Sequence, residues 1–511
     1  MDNTANNKRI AKNTMLLYVR MLFIMAVQLF TSRVVLNTLG VVDYGLYNVV
    51  GGIVTMFAFL NGAMVTSTQR YITFELGKGN MQRLKEVFTT CVQIHLIISL
   101  IIIILGETVG LWFLYEKMVI PEERFTAAMW VYQLSILTMC VQVMSAPYNS
   151  DIVAHEQMGV FAAISVIEVV LKLAVVYMLV IGDFDKLILY AVLIAVIQLL
   201  IRFFYTNYCN KHFAESRLIR FFDKQLAKEM GKFMGWNIWG HLAATLFSTG
   251  LNLLLNIFFG PVVNAARAVA VQVEAAISQF STNFLIATNP QITKLFAQNN
   301  LKDMHTLIFR ASKFAFFLLF TLTLPVIMET DMILSIWLKT VPDYTVIFLR
   351  LLMCICIIDS MAKPLMTAAI STGNVKLYQS LIGGILLSIV PIAYVVLKLG
   401  GSPASVYVVY LVICIIAFLT RLWVIKPMIK LSVRQYFRRV ILRCAPVLAI
   451  SMSLCLMVKH MLPVSILPSF IVCAVCVLVA SATSYMFGLD KGERQFVNTK
   501  SMELFRKFAH R

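Results

Sequence analysis

The chain has 511 residues, of which 60% are hydrophobic and only 14% are charged. Soluble domains are about half apolar and about a quarter charged, so the composition excludes an ordinary water-soluble protein. The formal charge of +19 would suit a nucleic-acid-binding protein, but the basic residues lie between hydrophobic runs rather than in one basic domain. Contact with anionic lipid headgroups explains them better, and we expect no nucleic-acid partner.

Long apolar runs recur along the chain from Met15 to Phe487. About 20 apolar residues cross a hydrocarbon core of roughly 30 Å, and the runs lack the alternation of barrel strands. Only helices and closed barrels satisfy their backbone hydrogen bonds in lipid. We therefore predict an all-α membrane protein with fourteen transmembrane helices, over residues 14–36, 44–66, 88–113, 125–148, 158–181, 187–207, 234–258, 262–287, 311–330, 345–369, 377–397, 403–424, 441–458 and 465–487.

The positions of Lys and Arg predict the orientation of these helices. Most of the 44 basic residues fall at or near the N-terminus, alternate loops and the C-terminal tail. Positive charge collects on the cytoplasmic side of a membrane protein, so we predict that both termini are cytoplasmic. No cleavable signal peptide is expected, because the first apolar run is long enough to span. The other loops hold only Lys117, Arg124, Lys186, Lys339, Lys398 and Lys459.

Two pairs of segments indicate an internal repeat. Residues 36–40 (Leu-Asn-Thr-Leu-Gly) resemble residues 255–260, and residues 145–150 (Ser-Ala-Pro-Tyr-Asn-Ser) resemble residues 362–367. In both pairs the two segments are separated by nearly the same number of residues. The first twelve helices are therefore predicted to be two duplicated six-helix bundles related by an axis along the membrane normal. The predicted division is an N-terminal bundle over 1–207, a basic linker over 208–233, a C-terminal bundle over 234–424, a cytoplasmic loop over 425–440, helices 13 and 14 over 441–487, and a cytoplasmic tail over 488–511.

Several short motifs give the chain a family resemblance. They are Lys12-Asn13-Thr14, Ser32-Arg33, Leu39-Gly40, Tyr44-Gly45-Leu46-Tyr47, and Thr372-Gly373-Asn374 followed by Lys376 and Tyr378. With these motifs the chain resembles the polysaccharide-biosynthesis flippases, which move O-antigen or capsule repeat units. They belong to the multidrug/oligosaccharidyl-lipid/polysaccharide (MOP) exporter superfamily, together with the MATE antiporters and the lipid II flippases.

The resemblance implies a MATE-like, V-shaped pair of bundles plus two C-terminal helices, in the bacterial inner membrane. It implies a polyprenyl-pyrophosphate-linked oligosaccharide as substrate, flipped from the inner to the outer leaflet by alternating access. No bound cofactor is expected, and coupling would be to a proton or sodium gradient. Anionic membrane lipids and other polysaccharide-assembly proteins are the expected partners.

The eighth predicted helix is unusually polar for a transmembrane segment. Arg267 lies near its outer end, Glu274 follows two turns later near the same face, and Gln272 lies between them. An ionisable side chain within a bilayer usually faces a wet cavity or a partner. Guanidinium groups bind phosphate oxygens in a bidentate manner, so we predict a cavity wall in which Arg267 contacts pyrophosphate.

Further candidates for the cavity come from three other helices. Lipid II flippases use cavity arginines on helices one and eight, and by that resemblance Arg33 joins Arg267. Arg33 also lies where an arginine can extend its side chain to the outer membrane surface, and this alternative stays open. Asn237 and Asn252 belong to a polar line along the seventh helix, and Arg350 is a basic residue within the tenth.

Two acid–base pairs lie within predicted helices at a spacing of four. Glu168 precedes Lys172, and Asp359 precedes Lys363. Residues four apart share a helix face and can neutralise each other. Each pair is therefore either a structural ion pair or a coupling and gating element whose pairing changes during transport.

A drug or metabolite antiporter and a membrane enzyme are the two alternatives to the flippase. A MATE-like cation-coupled drug or metabolite antiporter shares the duplication but is expected to have an acidic cavity, whereas basic residues outnumber acidic ones inside these helices. A membrane enzyme would need a nucleophile–base set, a phosphate-binding glycine loop or a metal cluster, and no such motif occurs. The Cys473–Cys476 spacing lies in a wholly apolar run, so we expect these cysteines to be buried hydrophobic residues rather than metal ligands.

Overall fold

The computed structural model describes residues 3–55, 58–116, 120–179, 185–338, 341–463, 465–495 and 498. Over these residues the secondary structure is helical, with no strand. The helices are α1 (Asn3–Thr55), α2 (Ala58–Lys78), α3 (Met81–Glu116), α4 (Glu122–Ala154), α5 (Met158–Met178), α6 (Lys186–His212), α7 (Lys224–Phe259), α8 (Pro261–Ala297), α9 (Leu301–Met328), α10 (Thr330–Trp337), α11 (Thr345–Ser371), α12 (Lys376–Lys398), α13 (Pro403–Ile429), α14 (Val433–Met461) and α15 (Ile466–Gly488).

Eleven helices in the described part of the chain are long and apolar enough to cross a membrane. They coincide with the third to seventh and the ninth to fourteenth predicted helices. The other three predictions fall on α1, α2 and α8, which are helical but are not among these eleven. The all-helical class is therefore confirmed, whereas the count of fourteen membrane-crossing helices is not.

The largest difference from the predicted boundaries lies at the N-terminus. Separate helices were predicted over 14–36 and 44–66, but α1 runs without interruption from Asn3 to Thr55. The predicted break at Leu39-Gly40 contains no proline, and a glycine inside a helix costs only about 1 kcal/mol relative to alanine. The backbone hydrogen bonds therefore continue through this segment, and residues 44–55 belong to α1.

The two prolines of the second repeated segment occupy equivalent positions in their helices. Pro147 lies inside α4 about two turns before its end at Ala154, and Pro364 lies inside α11 about two turns before its end at Ser371. A proline inside a helix removes one backbone hydrogen bond and favours a bend. The sequence similarity thus coincides with a similar local structure, while the duplication of whole bundles stays a prediction.

The chain forms two compact units. Unit 1 comprises Met1–Thr245, Ile286–Asn300 and Ile370–Gly383, and unit 2 comprises Leu246–Leu285, Leu301–Ala369 and Gly384–Arg511. The core of unit 2 contains Phe348, Leu349 and Tyr407. In lipid such cores are held by close van der Waals packing rather than by exclusion of water.

A buried carboxylate holds several helices of unit 1 together. Glu156 follows α4 in the left-handed backbone region, at φ 60°, and its side chain is 1% exposed. Its oxygens accept from Arg9 Nε at 2.8 Å, Gln291 Nε2 at 2.6 Å and Lys294 Nζ at 2.8 Å. Because a buried charge is tolerated only when it is paired and hydrogen-bonded, this cluster fixes the end of α4 against α1 and the end of α8.

Candidate functional site

Arg267 is held by the facing helix α7. One terminal nitrogen of its guanidinium donates to the Ser248 carbonyl oxygen at 2.9 Å and to the Ser248 hydroxyl at 3.2 Å, and the other donates to Asn252 Oδ1 at 3.3 Å. The Arg267 Nε is buried and has no hydrogen-bond partner among the described residues. The guanidinium is therefore fixed in orientation while one of its donors is unused.

Arg267 and Glu274 line one cavity of unit 2, with a volume of about 110 Å³. They lie about two turns apart on α8, so both side chains can reach the same space. A cavity of this size is large enough for several water molecules or a compact charged group. Its other lining residues come from α7, α8, α11 and α13: Phe247, Ser248, Leu251, Val271, Leu352, Ile355, Tyr407 and Tyr410.

Tyr407 also lines this cavity and has a second unused donor. The residue is 2% exposed, and its hydroxyl is buried without a hydrogen-bond partner in the described part of the chain. Its ring packs against Phe348 with the centroids 4.7 Å apart. An unpaired buried hydroxyl costs about 1–3 kcal/mol. A ligand rich in acceptor oxygens that reached the Arg267 Nε–H and the Tyr407 O–H would satisfy both groups.

The acid–base pair of α11 belongs to a larger charged network. Lys363 Nζ lies 4.0 Å from Asp359 Oδ2 and donates to Thr282 Oγ1 on α8 at 3.4 Å. Arg421 of α13 approaches the other Asp359 oxygen at 3.6 Å. Glu274 interacts electrostatically with both Lys363 and Asp359. The predicted pair therefore forms, and it connects to the cavity through Glu274.

The acid–base pair of α5 is more local. Lys172 Nζ donates to Glu168 Oε1 at 2.6 Å, and Gln198 of α6 donates to the same oxygen at 3.0 Å. The pair lies in unit 1 and joins α5 to α6. Its geometry is that of a structural ion pair with an added hydrogen bond.

The remaining predicted site residues whose side chains the structure describes do not line the cavity of unit 2. Arg350 donates to Asp331 Oδ2 at 2.9 Å and to Thr330 Oγ1 at 3.1 Å. Asn237 is 1% exposed and belongs to unit 1. Gln272 is exposed, and Asn252 contributes through its bond to Arg267. The side chain of Arg33 lies outside the described residues.

Asn237 instead forms a buried hydrogen-bond chain. Its Nδ2 donates to Ser67 Oγ at 3.1 Å, and its Oδ1 accepts from Gln379 Nε2 at 2.9 Å. These bonds join α7 to α2 and α12 within unit 1. Because all three groups are satisfied by each other, the chain is suited to holding helices together rather than to binding a ligand.

The aromatic wall of the cavity is not among the features predicted from the sequence. Tyr407 and Tyr410 are three residues apart on α13, and the Tyr410 ring packs edge-on against Phe247 with centroids 5.2 Å apart. Two tyrosines at this spacing share a helix face, and a hydroxyl inside an apolar run needs a partner. That spacing is the signal that could have identified them.

Comparison with known proteins gives matches among solved structures only. No protein-family model and no curated protein matches the chain. A MATE P26A mutant superposes with a TM-score of 0.70 at 14% identity, over 83% of this chain and 97% of that one. An outward-facing multidrug resistance MATE transporter of the MOP superfamily gives 0.68 at 15% identity, over the same 83% and 97%. This chain has the MATE-like fold.

A third match extends the comparison within the same superfamily. A MOP superfamily transporter from Pyrococcus furiosus superposes with a TM-score of 0.67 at 15% identity, over 83% of this chain and 97% of that one. The MATE-like fold is thus confirmed as predicted. At this level of identity the similarity defines the fold alone, and the flippase subtype stays a prediction.

Proposed function

We propose that the chain is a membrane transporter that flips a polyprenyl-pyrophosphate-linked oligosaccharide from the inner to the outer leaflet by alternating access, for surface polysaccharide assembly. The MATE-like fold supports a transporter, since its solved relatives are transporters. The observation that carries the substrate class is the pair of unused, buried donors of Arg267 and Tyr407 in one cavity.

The cavity is assigned to the pyrophosphate part of the substrate. Its volume of about 110 Å³ suits a compact charged group and not a whole oligosaccharide. A guanidinium binds phosphate oxygens through a fixed set of donors, and charged hydrogen bonds are stronger than neutral ones. The polyprenyl tail would stay in lipid, and the sugars would need the wider opening of another conformation.

A MATE-like cation-coupled drug or metabolite antiporter is the second candidate, and Glu274 is the observation that favours it. This carboxylate lines the same cavity as Arg267 and interacts with Asp359, so it could bind a proton or a cationic ligand. For the Pyrococcus furiosus transporter, a reversed polarity of the binding pocket is taken to suggest a different function. The two candidates therefore differ in the charge of the ligand. The substrate of a flippase would neutralise Arg267, whereas the ligand of an antiporter would neutralise Glu274.

The proposal also includes the membrane, the orientation, the partners and the energy coupling of the transporter. It would lie in a bacterial inner membrane with both termini in the cytoplasm, next to anionic lipids and other polysaccharide-assembly proteins. Transport would be coupled to a proton or sodium gradient through the carboxylates of Glu274 and Asp359. The matched structure covers 83% of this chain. Residues 425–511, which would carry the two additional helices, are about as long as the part that is not covered.

The deciding experiment measures lipid-linked oligosaccharide in cells with and without the gene, in a strain from which other flippases of this kind have been removed. We expect intact repeat units on polyprenyl pyrophosphate to accumulate on the inner leaflet when the gene is absent. An unchanged pool with unchanged surface polysaccharide would contradict the flippase. Protection against cationic dyes on expression would then favour the antiporter.

A further inference from the structure

Three side chains converge at the end of α4, in unit 1. Asp151 and His155 are one helical turn apart, and Glu215 comes from the segment between α6 and α7. His155 Nε2 lies 2.6 Å from Glu215 Oε1 and 3.7 Å from Asp151 Oδ1. One ligand atom from each residue lies within 4.8 Å of the other two. None of these residues lines the cavity of unit 2.

The backbone and neighbouring side chains hold this cluster in shape. The His155 ring stacks on Phe213, with the ring centroids 4.0 Å apart and an interplanar angle of 5°. Ser216 Oγ donates to Asp151 Oδ2 at 2.6 Å. Gln93 of α3 anchors the same segment by donating to the Phe221 carbonyl oxygen at 2.8 Å. The three groups are therefore preorganised by contacts that leave their converging atoms facing each other.

One atom of the cluster has no hydrogen bond. The Asp151 side chain is 0% exposed, and its Oδ1 has no hydrogen-bond partner among the described residues, although Oδ2 is satisfied by Ser216. The Glu215 side chain is 1% exposed. The cations that act on these two buried carboxylates are the His155 imidazole, whose charge can be at most +1, and Lys85, which interacts electrostatically with Glu215. A buried carboxylate oxygen without a donor is costly unless a cation lies next to it.

We propose that Asp151, His155 and Glu215 form a divalent-metal site, with Zn²⁺ as the best-suited ion. One imidazole nitrogen and two carboxylate oxygens are a ligand set that Zn²⁺ accepts, with a fourth position left for water. The two carboxylates balance the 2+ charge. Ser216, which binds the second Asp151 oxygen, orients that ligand in the way outer-shell partners of metal sites do.

The geometry needs only small changes to receive the ion. Ligand atoms of a tetrahedral zinc site lie about 3.4 Å apart, given metal–ligand distances of about 2.1 Å. The contact between His155 and Glu215 would open and that between His155 and Asp151 would shorten slightly. The His155 side chain is 25% exposed, which gives the ion access from solvent. The bound metal would tie the segment between α6 and α7 to the end of α4.

The test uses the full chain, purified in detergent without a polyhistidine tag and treated with a chelator. Zn²⁺ is titrated calorimetrically, and Co²⁺ is added separately because its visible absorption reports tetrahedral coordination. We expect one Zn²⁺ per chain for the wild type. Asp151→Asn, His155→Gln and Glu215→Gln should each weaken binding by at least about 100-fold, more than the loss of an outer-shell partner causes.

His212→Ala is the matched control. His212 is exposed, lies three residues before Glu215 and hydrogen-bonds through its Nδ1 to the Tyr208 carbonyl oxygen, outside the cluster, so its loss should leave Zn²⁺ affinity unchanged. Zn²⁺ should also raise the midpoint of thermal unfolding of the wild type and not that of Glu215→Gln. Absence of stoichiometric binding to the wild type, or equal affinity in all the variants, would overturn the proposal and leave an ordinary hydrogen-bonded triad. If His155→Gln does not fold, the wild-type titration and Glu215→Gln decide.

Discussion

Arg267 and Tyr407, which come from α8 and α13, line the same cavity, and each has a buried donor without a partner among the described residues. Neither donor is needed to hold its own helix, because Arg267 is fixed by Ser248 and Asn252, and the Tyr407 ring is fixed by Phe348. Buried polar atoms without a hydrogen bond also occur elsewhere in the described structure, but these two belong to residues that line one cavity.

Replacing Arg267 should reduce export with little effect on folding. Arg267→Gln removes the charge, and Arg267→Lys keeps the charge but not the fixed set of donors. We expect export of lipid-linked oligosaccharide to fall at least about tenfold for Gln, since a charged hydrogen bond contributes about 1.5–3 kcal/mol, and to fall less for Lys. Arg350→Gln is the control, because Arg350 pairs with Asp331 and does not line the cavity. Equal export by Arg267→Gln and the wild type at matched protein level would remove Arg267 from the site.

Tyr407→Phe separates binding from structure. The substitution deletes a hydroxyl that has no partner, so the free energy of unfolding should stay the same or rise by about 1 kcal/mol. Export should nevertheless fall about tenfold, because the substrate loses a donor. Thermal unfolding and export are measured on the same preparations. A more stable protein with full export would show that the hydroxyl has no role in transport.

Glu274→Gln distinguishes the two candidate functions. The substitution removes a negative charge from the cavity wall and nearly preserves the size of the side chain. A flippase for an anionic head group should keep its affinity or gain some, because the repulsion between carboxylate and phosphate is lost, while its response to the ion gradient weakens. An antiporter for cations should instead lose transport. The measurement is binding and transport of each substrate class with and without an imposed proton gradient.

An ion-pair group at helix ends and within α1 of unit 1 gives a prediction about the stability of the protein in acid. Arg124 bridges Asp43 and Asp185, and its distance to the Asp185 carboxylate is 2.6 Å. Although partial burial opposes ionisation, the hydrogen bond from Arg124 and those from the backbone N–H groups of Leu187 and Ile188 hold the pKa of Asp185 below its ordinary value.

A folded-state pKa below the unfolded value means that this stabilisation is complete above about pH 4 and is lost as the pH falls through the folded-state pKa. Asp185→Asn should therefore lower stability at neutral pH and reduce the further loss of stability in acid. Thermal unfolding from pH 7 to pH 3 measures both effects. Glu122→Gln is the control at an exposed site, and an acid dependence of Asp185→Asn identical to that of the wild type would contradict the assignment.

Two glycines test the packing of helices. A Cβ at Gly110 of α3 would clash with the hydroxyl of the buried Tyr132, whereas a Cβ at Gly231 of α7 would meet nothing within 4 Å among the described residues. Gly110→Ala should lower the free energy of unfolding by at least about 1–3 kcal/mol. Gly231→Ala should raise it by about 0.5–1 kcal/mol, through the higher helix propensity of alanine. A Gly110→Ala protein as stable as the wild type would show that Tyr132 can move aside.

The sequence predicted those features that depend on local hydrophobicity and helical spacing. Eleven of the predicted membrane helices are found, and the i, i+4 pairs at Glu168 and Asp359 form as their spacing requires. The break near Leu39 was wrong because a glycine is a weak helix breaker. Arg267 and Glu274 could be placed together because they lie on one face of a single helix.

Features that depend on contacts between helices could not be predicted in the same way. Tyr407 reaches the cavity only because α13 packs beside α11, which a hydropathy pattern does not specify. Arg350 looked equivalent to Arg267 as a cation within an apolar run, and its pairing with Asp331 depends on how the short helix α10 lies against α11. The metal cluster was not expected either, because Glu215 is far from Asp151 in the sequence and matches no short motif.

The two unused donors also have a consequence for the order of states in a transport cycle. Each carries an uncompensated desolvation cost when the cavity holds no acceptor, and a ligand that satisfies both would remove that cost. The loaded carrier would then be more stable than the empty one, since any ligand that binds the folded state adds to its stability. Release of the substrate, which leaves both donors unpaired again, would be the step that depends most on an external source of energy.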